Sequence, residues 1–329
     1  VKIKKFWNNK RVFITGGSGF IGQALSKRLA ELGARVYILH KTGDKPGLLS
    51  EDQPLPKNQV IIEGEICDTR FIDNLFKKNN FEICFHLAAK PLVLEGKENE
   101  SPLSTFEVNI MGTLNILEAV RRHKIQGLVV ASTAHVYGES KLPFLEKYLP
   151  QPSSPYETSK ACADILAQTY NKYYKLPVAI ARFVNIYGPG DSNKRIIPKT
   201  IQLLLQNQSP ELYDVETKRS YLHIDDAVDG YVTLAEKLEE LREKNANIIY
   251  NFGSNKIYSN KDIINKILIL MKREDIIPKV IKSTREKEIA AQYVSSAKAK
   301  RNLGWSPKIS IEEGLENTIK WYRKKIDKK

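Results

Sequence analysis

The chain has 329 residues, 42% of them hydrophobic and 27% charged, a balance ordinary for a globular protein of one large domain or two smaller ones. It has no apolar run of about 18 residues, which excludes a membrane-spanning helix by length. The formal net charge is +14, but the lysines are scattered and no nucleic-acid-binding motif accompanies them, so we read a Lys-rich surface rather than a nucleic-acid partner. That positive field would still help capture an anionic pyrophosphate. The densest cluster, Arg323 to Lys329, reads as a solvated tail.

The first residues, Val1 to Trp7, are basic but lack an apolar stretch long enough for a signal peptide. Cys67, Cys84 and Cys162 have no metal-ligand spacing and sit inside apolar patterns. They read as buried free thiols in a reducing, cytoplasmic setting, with no metal site.

Arg11–Thr15 reads as a strand, followed by a Gly-rich turn and a helix from about Gly19 to Leu32 that Gly33 closes. Further strands are expected at 35–39, 60–64, 83–87, 127–132 and 178–183, with helices in the gaps, notably at 105–123 and 156–174. Strands separated by helices predict an α/β fold, a Rossmann-type doubly wound parallel sheet covered on both faces. After Phe183 the rhythm breaks and Pro and Gly accumulate, which predicts a smaller, interleaved C-terminal cap. Residues 247–252 are expected to return to the main sheet.

Gly16, Gly19 and Gly22 form a Gly-x-x-Gly-x-x-Gly spacing at the first strand–helix junction. Glycine there permits a tight turn, close approach of backbone to a pyrophosphate, and close packing of helix on strand. Alone the spacing could be a structural turn; at this junction it points to a dinucleotide. At the end of the second strand an acidic residue would suit the 2′-hydroxyl of NAD and a basic one the 2′-phosphate of NADP. His40 and Lys41 stand there, with no carboxylate until Asp44, which favours NADP over NAD. The alternative is that both face solvent and the backbone holds the ribose. Glu65, just after the third strand, is placed to accept a hydrogen bond from the adenine amino group.

Tyr156 and Lys160 stand at i and i+4, on one face of a helix. A neighbouring ammonium stabilises a phenolate whose ordinary pKa of about 10 would make it a poor base. A Tyr-x-x-x-Lys can arise by chance; Ser132-Thr133 at the end of the fifth strand, where doubly wound folds put ligands, lifts this one.

The glycine loop, His86-Leu87-Ala88-Ala89, Ser132-Thr133 before Val136-Tyr137-Gly138, Tyr156 with Lys160, the run Arg182 to Gly190 and the run Arg219 to Asp226 together resemble the extended short-chain dehydrogenases/reductases. These are nucleotide-sugar epimerases, dehydratases and reductases, and the resemblance runs from about Phe6 to Phe252. Phe6-Trp7, the run His86 to Val93 and the run Ser159 to Ala163 are similar to the CDP-glucose 4,6-dehydratase branch.

The resemblance implies that residues 1–183, with 222–252 returning, bind the dinucleotide, and that 184–221 with 253–329 bind a nucleotide-diphosphate sugar. It implies that Tyr156 moves the proton of the sugar 4-hydroxyl, that Lys160 also holds the nicotinamide ribose, and that Thr133 with Ser132 bonds the 4-oxygen. Phe20, Ile21, Ile66, Leu87, Ala88 and Ala89 would line the cofactor, and Lys90, Asn185 and Arg219 the substrate. Arg219 suits phosphate because a planar fork pairs with two oxygens, although a surface ion pair would also explain it. Arg195 is a second phosphate candidate. A homodimer is implied through the 105–123 and 156–174 helices. Ile165, Leu166, Ile116 and Leu117 could supply that surface or could face the sheet.

One departure bears on the reaction. In 4,6-dehydratases the Ser/Thr is followed by an acid–base pair that removes the C5 proton and protonates the leaving 6-hydroxyl. Here Thr133 is followed by Ala134-His135; alanine gives no proton, and His135 is either a base or a wall residue. The sequence therefore predicts hydride transfer at C4, as an epimerase or a 4-ketoreductase, with dehydration as the alternative. A non-catalytic dinucleotide-binding protein of this fold is a remoter reading, because Tyr156, Lys160 and Thr133 are all present. Around 203–213, where a cap would select the base, no pattern is legible.

Overall fold

Strand residues alternate between two faces of a sheet, and the computed structural model buries both. It describes residues 2–43, 56–91, 101–191, 195–244, 248–282 and 289–327. Asp44, Leu92, Val93, Asn247, Lys328 and Lys329 lie outside the described residues. The chain divides into two compact units, one of Val1–Gly138, Tyr148–Arg182 and Val228–Tyr250, the other of Glu139–Lys147, Phe183–Ala227 and Asn251–Lys329.

The first unit opens with α1 (Lys2–Trp7) and β1 (Arg11–Thr15), followed by α2 (Phe20–Glu31), β2 (Arg35–His40) and β3 (Gln59–Glu63). Next come α3 (Thr69–Asn79), β4 (Ile83–His86), α4 (Leu103–Phe106), α5 (Gly112–His123), β5 (Gly127–Thr133) and α6 (Pro155–Tyr174). The sheet runs β10-β6-β5-β4-β1-β2-β3, with β6 (Val178–Phe183) and β10 (Ile249–Phe252) at one edge. β1 pairs parallel with β2 and β4, β2 with β3, and β4 with β5. The order reverses between β1 and β4, the switch point where such sheets bind ligands beyond the carboxyl ends of their strands.

Phe13, Cys84, Leu128, Val130 and Ile180 point to one side, into a core shared with Ile72 and Phe76 of α3, Ile116 and Leu117 of α5, and Ala167 and Tyr170 of α6. On the other side, Phe85 meets the rings of Trp7 and of Tyr231 in α8 (Ile224–Glu236). α9 (Leu238–Glu243) follows before β10. The helices stop and start where capping chemistry dictates: Asp68 accepts from the Phe71 N–H, Ser154 precedes Pro155 at the first helical position, and Asn80, Lys124 and Lys175 close their helices in the left-handed conformation.

Two sequence expectations are corrected. The helix expected over 105–123 is interrupted by a π-turn at Glu107–Met111, whose extra residue turns Asn109 inward to near-complete burial. Of the three cysteines only Cys84 is buried; Cys67 is exposed, because it lies past the end of β3 and just before the polar cap of α3.

The second unit has β7 (Asn185–Tyr187), α7 (Ile196–Leu205), β8 (Glu211–Leu212), β9 (Lys218–His223), β11 (Ile257–Ser259) and α10 (Asn260–Met271). It ends with β12 (Lys279–Val280), β13 (Ala291–Gln292), α11 (Ala297–Leu303) and α12 (Ile311–Ile326). β9 pairs with β7, β11 and β13, and β8 with β12. Ile197, Ile201, Ile263, Ile267, Leu315 and Ile319 from α7, α10 and α12 build its core. Among the described residues no helix is long and apolar enough to cross a membrane, and no group of three or more His, Cys, Asp and Glu could hold a metal ion.

Candidate active site

The turn after β1 is dictated by backbone contacts. Gly16 has φ +67°, and a Cβ there would stand 2.7 Å from the Ala88 nitrogen, so only glycine lets the loop after β4 pass so close. A Cβ on Gly22 would stand 2.2 Å from the Gly16 carbonyl oxygen. Gly19 is different: its Cβ would meet only that oxygen, at 3.3 Å. Gly19 caps α2 without a side-chain bond, so the first-turn N–H groups are offered to whatever lies beyond them. A dinucleotide pyrophosphate fits this cradle. Phe20 and Ile21 begin the helix, half-buried. At the end of β2 His40 is buried and Lys41 exposed; Glu65 is exposed, while Ile66 packs against Gly112.

A hydrogen-bond chain ties this turn to the helices. Thr113 donates to the Asn109 carbonyl at 2.6 Å, so it accepts at 2.9 Å from Nε2–H of His86, which leaves Nδ1 to accept from Thr15 at 2.8 Å. Thr15 Oγ1 accepts in turn from the Ala88 N–H. Burial, reinforced by the charge of Lys160, pushes the His86 pKa down to about 3, so the ring is neutral. Asn109 is the hub. Its side chain accepts from the Lys90 N–H at 2.7 Å and donates to the Lys90 carbonyl and to Ser159 Oγ at 2.8 Å. Lys90 Nζ donates to Ser104. Leu87, Ala88 and Ala89 lie half-buried between His86 and Lys90.

The carboxyl end of β5 and the start of α6 bring the acid–base candidates into one unit. Lys160 is buried and donates from Nζ to the Ala131 carbonyl at 2.6 Å. Burial pulls its pKa down to about 8, against the opposing pull of Asp164. Tyr156, one turn earlier, is half-buried. Thr133 Oγ1 accepts from the His135 N–H at 3.2 Å, capping the short 3₁₀ turn Ala134–Tyr137. Ser132 is turned the other way and donates to Asp164 at 2.7 Å.

Asp164, Arg182, Asn109 and Glu157 are the site residues that sequence reasoning missed. Asp164 and Arg182 form a two-pronged ion pair, 2.8 Å on each prong, with both side chains essentially inaccessible. The guanidinium lies 4.8 Å from the centre of the Tyr137 ring. A carboxylate one turn beyond Lys160 on the inward face of α6 was the available signal.

Residues 13–318 match the family described as GDP-mannose 4,6 dehydratase. The chain belongs to that family. It is thus an extended short-chain dehydrogenase/reductase, as its motifs imply. A similar curated protein is the dTDP-D-glucose 4,6-dehydratase of Mus musculus, 32% identical over 96% of this chain and 89% of that one. Among solved structures, the UDP-glucose 4-epimerase of Thermotoga maritima, with UDP-glucose, superposes with a TM-score of 0.85 at 26% identity, covering 96% of this chain and 99% of that one. The dTDP-glucose 4,6-dehydratase of Bacillus anthracis, in complex with NAD, gives 0.83 at 26% identity, covering 97% and 98%.

The remaining candidates of this family member lie in the second unit. Asn185 begins β7 and is half-buried. Arg219 is buried and donates from Nη1 to the carbonyls of Lys218 and Ile289. Arg195 precedes α7 with its side chain 54% exposed, donates to the Ile186 carbonyl and lies 3.8 Å from Asp191. Of the four apolar residues considered for a dimer face, Ile116 and Leu117 pack into the core and Ile165 is exposed, while Leu166 packs partly against the core.

Proposed function

We propose that the protein transfers hydride at C4 of a nucleotide-diphosphate hexose, as a 4-epimerase or a 4-ketoreductase. The observation that carries this is the corner Thr133-Ala134-His135 beside Tyr156 and Lys160: acid–base groups for a C4 hydroxyl, and a methyl group at the position after the threonine. The bound dinucleotide supplies the hydride acceptor or donor. Tyr156 takes or returns the 4-hydroxyl proton, and the Lys160 ammonium stabilises its phenolate. Thr133, whose oxygen already accepts from a backbone N–H, directs its own O–H to the sugar oxygen. Ser132 gives its proton to Asp164, so towards substrate it can only accept.

The cofactor we propose is NADP or NAD, held by Gly16, Gly19, Gly22 and the first turn of α2. The exposed Lys41 supports NADP, whereas the similar B. anthracis dehydratase binds NAD. Arg219, Asn185 and Arg195 are our candidates for the sugar-nucleotide diphosphate, and Lys90 for the sugar. A homodimer is supported by the apolar side chains Leu103, Met111, Ile165 and Tyr173, which α4, the π-turn and α6 leave exposed. Three unpaired thiols suit a cytoplasmic setting.

A 4,6-dehydratase is the second reading, supported by the family match and by the mouse relative. Incubation with GDP-, CDP-, UDP- and dTDP-hexoses and either dinucleotide separates them by mass spectrometry and NMR. We expect a C4 epimer or, from a 4-keto sugar with NADPH, a C4 alcohol, and no loss of water. Water loss would overturn the first reading. Tyr156→Phe should lower kcat by about 10²–10⁴-fold while dinucleotide binding persists.

A further inference from the structure

The amino ends of β2 and β3, opposite the strand ends that carry the candidate active site, border a hollow that hydride transfer does not use. It measures about 390 Å³, within the range of small-molecule sites. Arg35, Tyr37, Lys57, Asn58 and Val60 line it, and no carboxylate does among the described residues. Residues in register on neighbouring strands put their side chains on the same face of a sheet. Arg11 stands beside Arg35, Phe13 beside Tyr37, and Tyr37 beside Val60, so a basic row lies next to an apolar one.

Like charges side by side repel. Arg11 is relieved of this, because its guanidinium lies 3.7 Å from Glu82 and donates to the Asn80 carbonyl at 2.7 Å. Lys10 is also 3.5 Å from Glu82. Arg35 and Lys57 are exposed and have no ion-pair partner among the described residues. Tyr37 is half-buried and held edge-on to Phe81, ring centres 5.2 Å apart, and Val60 is 46% exposed on the edge strand. Asn58 donates its amide N–H groups to the carbonyls of Ala30 at 2.9 Å and Ala34 at 2.7 Å. Those bonds fix the side chain and leave Oδ1, an acceptor, as what it offers a ligand.

These groups answer to the parts of one kind of molecule. A guanidinium fork and an ammonium match a phosphate. An aromatic ring beside methyl groups matches a flat heterocycle, and a fixed amide oxygen matches the N–H on its edge. We propose that this hollow binds a nucleoside monophosphate, with its phosphate between Arg35 and Lys57 and its base against Tyr37 and Val60, as a second nucleotide site apart from the glycine cradle. The two sites lie at opposite ends of β2: Arg35 opens the strand and His40 closes it, roughly 17 Å away at about 3.3 Å per residue. Binding there requires no reaction at C4, so it stands or falls apart from the C4 reading.

The test is equilibrium dialysis of the full chain against UMP, AMP and inorganic phosphate at low salt, with acetylation of Lys57 read by mass spectrometry as a local probe. UMP or AMP should lower the acetylation of Lys57 while the exposed Lys27 on α2 reacts as before. Arg35→Gln and Lys57→Gln should each weaken this site by about tenfold, and Arg35→Lys, which keeps the charge, should retain most of the binding. Tyr37→Leu should also weaken it by about tenfold, through the lost ring. Nucleotide held at the sugar-nucleotide site is untouched by these changes and persists as a constant background in every variant. Arg35 and Lys57 are exposed, so their variants should keep the wild-type urea midpoint, which separates weaker binding from unfolding. Unchanged acetylation of Lys57 with either nucleotide, or equal binding by wild type and the Arg35→Gln, Lys57→Gln double variant, overturns the proposal. Inorganic phosphate bound as tightly as UMP and AMP also overturns it, because the base would then contribute nothing.

Discussion

The turns after β1 and β5 have the same topological task, carrying the chain from the carboxyl end of a parallel strand into helical structure, and they are held by opposite means. The turn after β1 is set by missing side chains: Gly16 and Gly22 leave no room for a Cβ, and Gly19 leaves the helix end open. The corner after β5 is set by side chains from elsewhere. Ser132 is anchored on Asp164, Asp164 on Arg182, and His135 faces Glu157. A turn of the first kind tolerates change around it but not in it. A corner of the second kind depends on buried side chains supplied by other elements.

The largest effect should come from that dependence. Asp164→Ala leaves Arg182 charged and unpaired in a fully buried setting, which costs about 3–5 kcal/mol. A urea titration would read it as a lower midpoint at unchanged slope. The double change Asp164→Leu with Arg182→Met should recover much of that loss, because replacing both members of a buried pair by apolar groups is often close to neutral. A single variant as stable as wild type would break the comparison, since the corner would then be held by the strand itself.

Gly22→Ala probes the other turn. A methyl group 2.2 Å from the Gly16 oxygen and 2.5 Å from the Gly17 Cα forces the backbone to move, at about 1–3 kcal/mol. Dinucleotide binding should fall with it, because the displaced loop is the cradle we propose for the pyrophosphate. Gly19→Ala should fold with a smaller loss, its methyl meeting only one oxygen at 3.3 Å. Equal losses of stability in the two variants would show that tightness at Gly22 is not what shapes the turn. Titration of NAD and NADP against intrinsic fluorescence, beside urea midpoints, checks both halves.

The same contrast explains what the sequence could tell. The alternation of strands and helices, the parallel sheet it implies and the glycine turn were legible because each follows from local chemistry: periodicity, caps, and conformations only glycine adopts. Ser132, Thr133, His135, Tyr156 and Lys160 were legible as residue types at a strand end and on a helix face. Their partners were not. Ser132 meets Asp164 across 32 residues of chain, and Ser159 meets Asn109 across 50, and one sequence does not record which buried polar group faces which. The π-turn that aims Asn109 inward was hidden because its residues continue a helical pattern. Cys67 was misread for a related reason: an apolar neighbour at a strand end suggests burial, and the chain had already left the sheet.

The smallest effect lies beside the first turn. His86 ties it to α5, with Nδ1 accepting from Thr15 of β1 and Nε2 donating to Thr113. Its pKa is pushed down from 6.5 to about 3 by burial, so the folded protein refuses a proton that the unfolded chain accepts. Above pH 6.5 neither state is protonated there and the group has no pH-dependent effect. As pH falls through 6.5 towards 3, the unfolded state gains the proton first, and stability falls by about 1.4 kcal/mol for each pH unit. Unfolding free energies from urea titrations at pH 7.5 and pH 5.5 should therefore differ by about 1.4 kcal/mol from this residue alone. Subtracting the same pair of measurements on His86→Gln, which cannot titrate, isolates the contribution of the ring from that of every carboxylate. An identical difference in the two proteins would mean that the ring accepts a proton while folded, and Nδ1–H would then have to donate to Thr15 while Nε2–H still donates to Thr113.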